Sequence, residues 1–235
     1  MQISGIQPFT VLDYPDKTAC IVFTPGCNFR CGYCHNAEFV LPEKIIQLKD
    51  SWIPEETFFN FLESRKNLLD GVVISGGEPT LMGDLLSFAK KVKERGFLVK
   101  LDTNGSTPRV LEKLLHENAL DYVAMDIKTS LENYPKVSGS CVMPNAIKKS
   151  VEMIMKSGID YEFRSTLLEE LHDEKTIHEM ANLIRGARVW YLQPFRNAKT
   201  LDETFQNNHA LPKEEMEQIA AKHCGMIENI IIRSI

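Results

Sequence analysis

The sequence predicts an α/β protein: parallel strands with helices packed outside them. Two observations carry this. Short apolar runs alternate about six times with amphipathic stretches, joined by short connections. Distinctive polar residues also follow directly after those apolar runs, where α/β sheets and barrels bind their ligands. The alternation does not decide whether the sheet closes.

The elements follow in order. Residues 2–17 carry Gly5, Pro8, Pro15 and the pair Asp16-Lys17, which reads as an extended lead-in with turns. Ala19 to Phe23 is a continuous apolar run and hence a buried strand. A helix starts at Pro54, with acids in its first turn. Gly71 to Ser75 is the second strand, Asp84 to Arg95 a helix stopped by Gly96, and Phe97 to Leu101 the third strand. Pro108 to Asn118 is a helix, Tyr122 to Met125 the fourth strand, and Asn145 to Lys156 a helix ended by Gly158. Ile159 to Leu168 is the fifth strand, Asp173 to Arg185 a helix, and Val189 to Leu192 the sixth strand. Pro212 to His223 is a last helix and Ile230 to Ile232 a closing extended piece. The polar stretch 197–211 has no pattern and reads as a mobile loop or a surface connection. With no linker, sequence repeat or low-complexity segment, one domain over 1–235 is expected, with an extension from about residue 197.

The bulk numbers narrow the function. A hydrophobic fraction of 43% over 235 residues supports one sizeable core. A net charge of −5 offers no basic excess for nucleic acid. Met1 to Pro8 has neither a basic start nor an apolar run, so no signal peptide is expected. No stretch is apolar enough for a membrane helix. A cytoplasmic location follows, with the six cysteines in a reducing compartment.

Three of those cysteines, Cys27, Cys31 and Cys34, lie in one loop (24–38) with the spacing Cys-x3-Cys-x2-Cys. Thiolates suit iron–sulfur clusters, zinc or Cu(I). No fourth cysteine stands nearby to complete a four-thiolate site, so a four-iron cluster held here would keep one iron open for chemistry. A zinc knuckle or a redox thiol pair is the plainer alternative. Cys20, Cys141 and Cys224 read as ordinary core or surface thiols.

Other polar groups stand at the strand ends. Gly76-Gly77-Glu78-Pro79 combines glycines that allow close backbone approach with a carboxylate able to accept from an ammonium, although a Gly-Gly turn before a helix is common. Asp102-Thr103-Asn104-Gly105 follows the third strand, and its Asp and Asn could simply cap a helix. Asp126-Ile127-Lys128 follows the fourth, where residues two apart in a strand share a face. Glu162 and Arg164 share a face of the fifth strand, and Arg164 suits a bidentate carboxylate contact or a simple pair with Glu162. A cation between Asp102 and Asp126 is a further option.

The cysteine spacing, with Tyr33 just before the last cysteine, resembles the signature of the radical S-adenosylmethionine (SAM) superfamily. Together with Gly-Gly-Glu-Pro, Asp-Thr-Asn-Gly and Asp-Ile-Lys it is similar to the glycyl-radical-enzyme activases. Over roughly residues 1–220 it most resembles those serving anaerobic ribonucleoside-triphosphate reductase.

The resemblance implies a partial (β/α)6 barrel and a [4Fe–4S] cluster on Cys27, Cys31 and Cys34. SAM would be held by Gly76, Gly77, Glu78, Pro79, Asp102, Thr103, Asn104, Asp126, Lys128 and Arg164, with Tyr33 at the adenine. It further implies reductive cleavage to a 5′-deoxyadenosyl radical, hydrogen abstraction from a glycine of the partner (anaerobic ribonucleotide reductase), and flavodoxin or ferredoxin as electron donor. No side chain is assigned as acid or base, because the cofactors carry the chemistry. One departure stands out: pyruvate formate-lyase activases have a histidine after a late strand, where this chain reads Gln193-Pro194-Phe195-Arg196. Two rivals remain, a small-molecule radical SAM enzyme resembling 7-carboxy-7-deazaguanine synthase and a non-enzymatic zinc-binding module.

Overall fold

The computed structural model describes residues 1–139 and 142–233; Cys141 lies outside them. Packing divides the chain into two compact units. The first comprises Met1–Asn28, Asn36–Thr103 and Arg109–Val123; the second comprises Phe29–His35, Asn104–Pro108 and the chain from Ala124 onward.

In the first unit, β1 (Gly5–Thr10) pairs antiparallel with β2 (Ala19–Thr24), and β2, β3 (Gly71–Gly76) and β4 (Leu98–Thr103) follow in parallel. The lead-in is thus a strand rather than only an extended segment with turns. Pro8 has no N–H to donate, and a strand paired on one side tolerates that. The register sets Thr24 opposite Gly76, so the start of the cysteine loop and the Gly-Gly-Glu turn leave neighbouring strand ends.

Tyr14, Ala19, Ile21 and Val73 form a buried cluster, flanked by Phe23, Leu98 and Tyr122. Helices α1 (Ala37–Val40), α2 (Pro42–Leu48), α3 (Glu55–Ser64), α4 (Leu85–Glu94) and α5 (Pro108–His116) also precede β5, with 3-10 helices at Lys49–Ser51 and Pro79–Leu81. Helix α4 buries Leu85, Phe88, Ala89 and Val92, the i, i+3, i+4, i+7 stripe of an amphipathic helix. Phe88 stacks on Phe58 of α3 at 5.4 Å between ring centroids. Each such fully buried side chain contributes about 1.5–3 kcal/mol. The short α1 and α2 carry no helical periodicity long enough to read in sequence.

Strand β5 (Tyr122–Asp126) begins in the first unit and ends in the second. The second unit holds α6 (Tyr134–Ser138), α7 (Pro144–Lys156), β6 (Asp160–Leu167), α8 (Glu174–Leu183), β7 (Val189–Pro194), α9 (Lys213–His223) and β8 (Asn229–Ile232). Strands β6, β7 and β8 run parallel in chain order. Asp173 caps α8 by accepting from the Thr176 N–H at 2.8 Å. Buried Trp190 donates to the Ser165 hydroxyl at 2.9 Å, which in turn donates to the Ile127 carbonyl at 2.6 Å, so both of these buried polar side chains have partners.

The stretch 197–211 contains a 3-10 helix at Glu203–Asn207, and Ala210 bridges Leu168. Among the described residues no helix is long and apolar enough to cross a membrane.

Candidate active site

In the first unit the Gly-Gly-Glu turn lies on the chain's own backbone. The Gly77 N–H donates to the Thr24 carbonyl at 2.9 Å, and the Glu78 N–H to the Gly26 carbonyl at 2.7 Å. A Cβ on Gly76 (φ +114°) would stand 2.3 Å from the Thr24 nitrogen, and one on Gly77 2.0 Å from the Gly26 oxygen. Both glycines are therefore required by close contact between the turn and the start of the cysteine loop.

Glu78 is buried. Its Oε1 accepts from the Thr103 hydroxyl at 2.7 Å, from the Thr80 N–H at 3.2 Å and, by a short hydrogen bond, from the Thr80 hydroxyl. The side chain caps the 3-10 helix that starts at buried Pro79. Thr103 thus acts by orienting Glu78, and Thr80, which nothing in the sequence marks out, shares that work.

Asp102 lies inside β4, not past its end. It accepts from the Lys100 ammonium at 2.7 Å and the Ser75 hydroxyl at 3.1 Å. Lys100 is fully buried, with its nitrogen 5.7 Å from the Tyr122 ring centre. A buried ammonium needs a compensating charge, and Asp102 supplies it.

The second unit holds the counterpart cluster. Strand β5 ends at Asp126, so Lys128 lies beyond it; the expected pairing along one strand face is replaced by the reach of the long lysine side chain. Asp126 takes Lys128 Nζ on Oδ2 at 3.2 Å and Arg164 Nε on Oδ1 at 2.9 Å. Arg164 lies 3.8 Å from buried Glu162, which also pairs with Arg233 at 3.2 Å. Burial works against the charge of Asp126, but Arg164 and Lys128 outweigh it and bring its pKa from 3.8 to about 2. Burial likewise opposes the Lys128 ammonium, yet Asp126 holds its pKa well above the ordinary lysine value. Both carboxylates offered as a cation seat, Asp102 and Asp126, thus already hold a cationic side chain in their own units.

The backbone of Lys128 is gripped on both sides. Its N–H donates to the Tyr134 hydroxyl at 3.2 Å, and its carbonyl meets His172 Nε2 at 3.0 Å. His172 Nδ1 lies 3.0 Å from the Leu168 N–H, so the neutral tautomer protonated at Nε2 satisfies both contacts. Burial holds the His172 pKa below its usual value, which favours this neutral form. Neither Tyr134 nor His172 belongs to a motif, and only the fold brings them to Lys128. Asn104 is buried and accepts from the Ser106 N–H at 2.9 Å, the local turn that its residue type suggests.

Cys27 belongs to the first unit, and Cys31 and Cys34 to the second. None of the three is in a disulfide. In the folded chain burial pushes the Cys31 thiol up while the charge of Lys128 pulls it down; metal binding deprotonates such thiols. Among the described residues no group of three or more His, Cys, Asp or Glu side chains is gathered as a metal-ion site, so the ligand set rests on donor chemistry and spacing. Tyr33 is buried, and desolvation raises its pKa well above the usual tyrosine value. Cys20 is buried in β2, where desolvation pushes its thiol to about 12, and Cys224 is exposed; these two are the core and surface thiols expected.

A sequence profile of the radical SAM superfamily matches residues 21–184. The chain belongs to the radical SAM superfamily. A protein of Methanocaldococcus jannaschii, named provisionally as a glycyl-radical enzyme activating enzyme, is 35% identical over 99% of this chain and 96% of its own length. The pyruvate formate-lyase-activating enzyme of Clostridium pasteurianum is 29% identical over 80% of this chain and 77% of its own. These likenesses put the chain with the activase type within the radical SAM enzymes. QueE from Escherichia coli shares the fold, with a TM-score of 0.58 over 98% of this chain and 92% of its own at 16% identity. The parallel α/β architecture read from the alternation of elements is therefore that of radical SAM enzymes, whose cofactors are a [4Fe–4S] cluster and SAM. Three thiols outside any disulfide, at the superfamily spacing, have the donor chemistry of such a cluster.

Proposed function

We propose that this radical SAM chain activates a glycyl radical enzyme, the anaerobic ribonucleotide reductase, with flavodoxin or ferredoxin as the electron donor in the cytoplasm. The activase reading is supported by the end-to-end match to a provisionally named activating enzyme, and the reductase as partner by the motif resemblance of the sequence. When bound, the cluster and SAM supply an electron and the deoxyadenosyl radical that takes a hydrogen atom from the partner's glycine.

The chain's own residues bind and orient. Cys27, Cys31 and Cys34 hold the cluster. Glu78, its carboxylate fixed by Thr80 and Thr103, receives the ammonium of SAM. Lys128 and Arg164, kept charged beside Asp126, face the SAM carboxylate or ribose. Tyr33, buried in the loop, would contact the adenine.

The test is anaerobic. Reconstituted protein, reduced flavodoxin, SAM and purified anaerobic ribonucleotide reductase are mixed and examined by electron paramagnetic resonance. A doublet on the reductase that requires both this chain and SAM is expected. Formation of 5′-deoxyadenosine without a doublet would move the activity to another substrate, and no 5′-deoxyadenosine at all would end the proposal.

A further inference from the structure

The C-terminal stretch that lacks any pattern in sequence makes specific contacts with the cysteine loop inside the second unit. The Leu201 N–H donates to the Cys34 carbonyl at 2.8 Å, and the Asp202 N–H to the Gly32 carbonyl at 3.0 Å. Phe205 lies over Gly32 so closely that a Cβ there would stand 2.3 Å from its ring carbon Cε2. The same ring is 6.3 Å from that of buried Tyr33. Just past the end of β7, Phe195 stacks on His35 at 5.5 Å and an interplanar angle of 17°, while His35 Nε2 meets the Arg196 carbonyl at 2.9 Å. Four consecutive loop residues, Gly32 to His35, are thus each held from residues 195–205.

Two features show that the stretch is built for the contact. Its own conformation is fixed locally, because Asp202 accepts from the Thr204 N–H at 2.9 Å and opens the 3-10 helix that carries Phe205. Gly32, moreover, does not owe its identity to a positive φ; the space a side chain would need is filled by Phe205.

We propose that residues 195–205 are a positioning segment for the cysteine loop, with Phe205 and Phe195 as its anchors. By setting the backbone of Gly32–His35 the segment sets the directions in which Cys31 and Cys34 present their sulfurs. It thereby governs how tightly the cluster is retained. Phe205 packs on Gly32 and Tyr33 and acts through the loop. The inference rests on the radical SAM reading for what the loop holds, but the packing itself does not depend on it.

The test is a double-mutant cycle with Gly32→Ala, Phe205→Ala and the pair, with Phe205→Leu as the conservative variant. Three quantities are read on each: thermal unfolding of the cluster-free chain, the rate of iron release to a chelator from the reconstituted chain, and the paramagnetic resonance spectrum of the reduced cluster. Gly32→Ala should release iron about tenfold faster than wild type, in line with the usual cost of overpacking. In the Phe205→Ala background the same change should add less than about twofold, because the obstructing ring is gone. Phe205→Ala alone should broaden or shift the cluster spectrum, and Phe205→Leu should restore most of it.

Independent, multiplying effects of the two changes on release, or a spectrum unmoved by Phe205→Ala, would overturn the proposal. If wild type takes up no cluster, the reading of the three cysteines as cluster ligands fails instead. The unfolding cycle on the cluster-free chain then still decides the packing, since additive unfolding effects would refute it.

Discussion

Replacing Asp126 by asparagine keeps the side-chain shape and removes the charge that Lys128 and Arg164 share. The magnitude follows from the carboxyl's titration. A fall from 3.8 to about 2 corresponds to roughly 2.4 kcal/mol of stability from this one group. The side chain is 33% exposed, so solvent screening reduces this, and about 1–1.5 kcal/mol is expected at about pH 7. The sign is fixed: a depressed carboxyl pKa contributes stability above the unfolded value of 3.8, and this is lost as pH falls toward about 2. Urea unfolding of the cluster-free protein, under anaerobic reducing conditions, should therefore show Asp126→Asn less stable than wild type at neutral pH. The gap should shrink to about half at about pH 3. Equal stabilities at neutral pH, or a gap that stays constant on acidification, would show that Asp126 is not held charged by Lys128 and Arg164.

Three further outcomes are expected. Glu78→Gln should lower folding stability by about 1 kcal/mol, the difference between charged and neutral hydrogen bonds. The same variant should weaken SAM binding to the reconstituted protein at least about tenfold; unchanged binding would remove Glu78 from the ammonium site. His172→Ala deprives the Lys128 carbonyl and the Leu168 N–H of their partner and should cost about 2–4 kcal/mol in urea unfolding. Because the His172 pKa is depressed, its contribution is present above pH 6.5 and lost as pH falls below it, and an acid sensitivity of wild type that is blunted in the variant would confirm this. Gly77→Ala forces a Cβ to 2.0 Å from the Gly26 oxygen, so a loss above about 3 kcal/mol or failure to fold is expected; a thermal midpoint near that of wild type would mean the turn is not tightly laid on the loop.

The strand–helix alternation, the cysteine spacing and the polar residues at strand ends were legible because each is local. A buried parallel strand reads as an apolar run, a helix stop as a glycine, and a cluster loop as closely spaced thiols. For the same reason the sequence by itself determined the α/β class and pointed to the radical SAM superfamily. It left β1 as a lead-in because Pro8 breaks the strand signal, and it passed over α1, α2 and α6 because four to seven residues are too few to show a period.

Only the tertiary structure decided which partner each polar residue has. Lys100 is separated from Asp102 by a single residue, yet nothing local says that its ammonium is fully buried there. His172 lies 44 residues from the Lys128 carbonyl that it holds, and Phe205 lies 173 residues from Gly32, whose missing side chain it explains. Those pairings depend on strand register and on how the chain returns to itself. Such long-range contacts are set by packing and by the satisfaction of buried polar groups, and these leave no period and no motif in the chain.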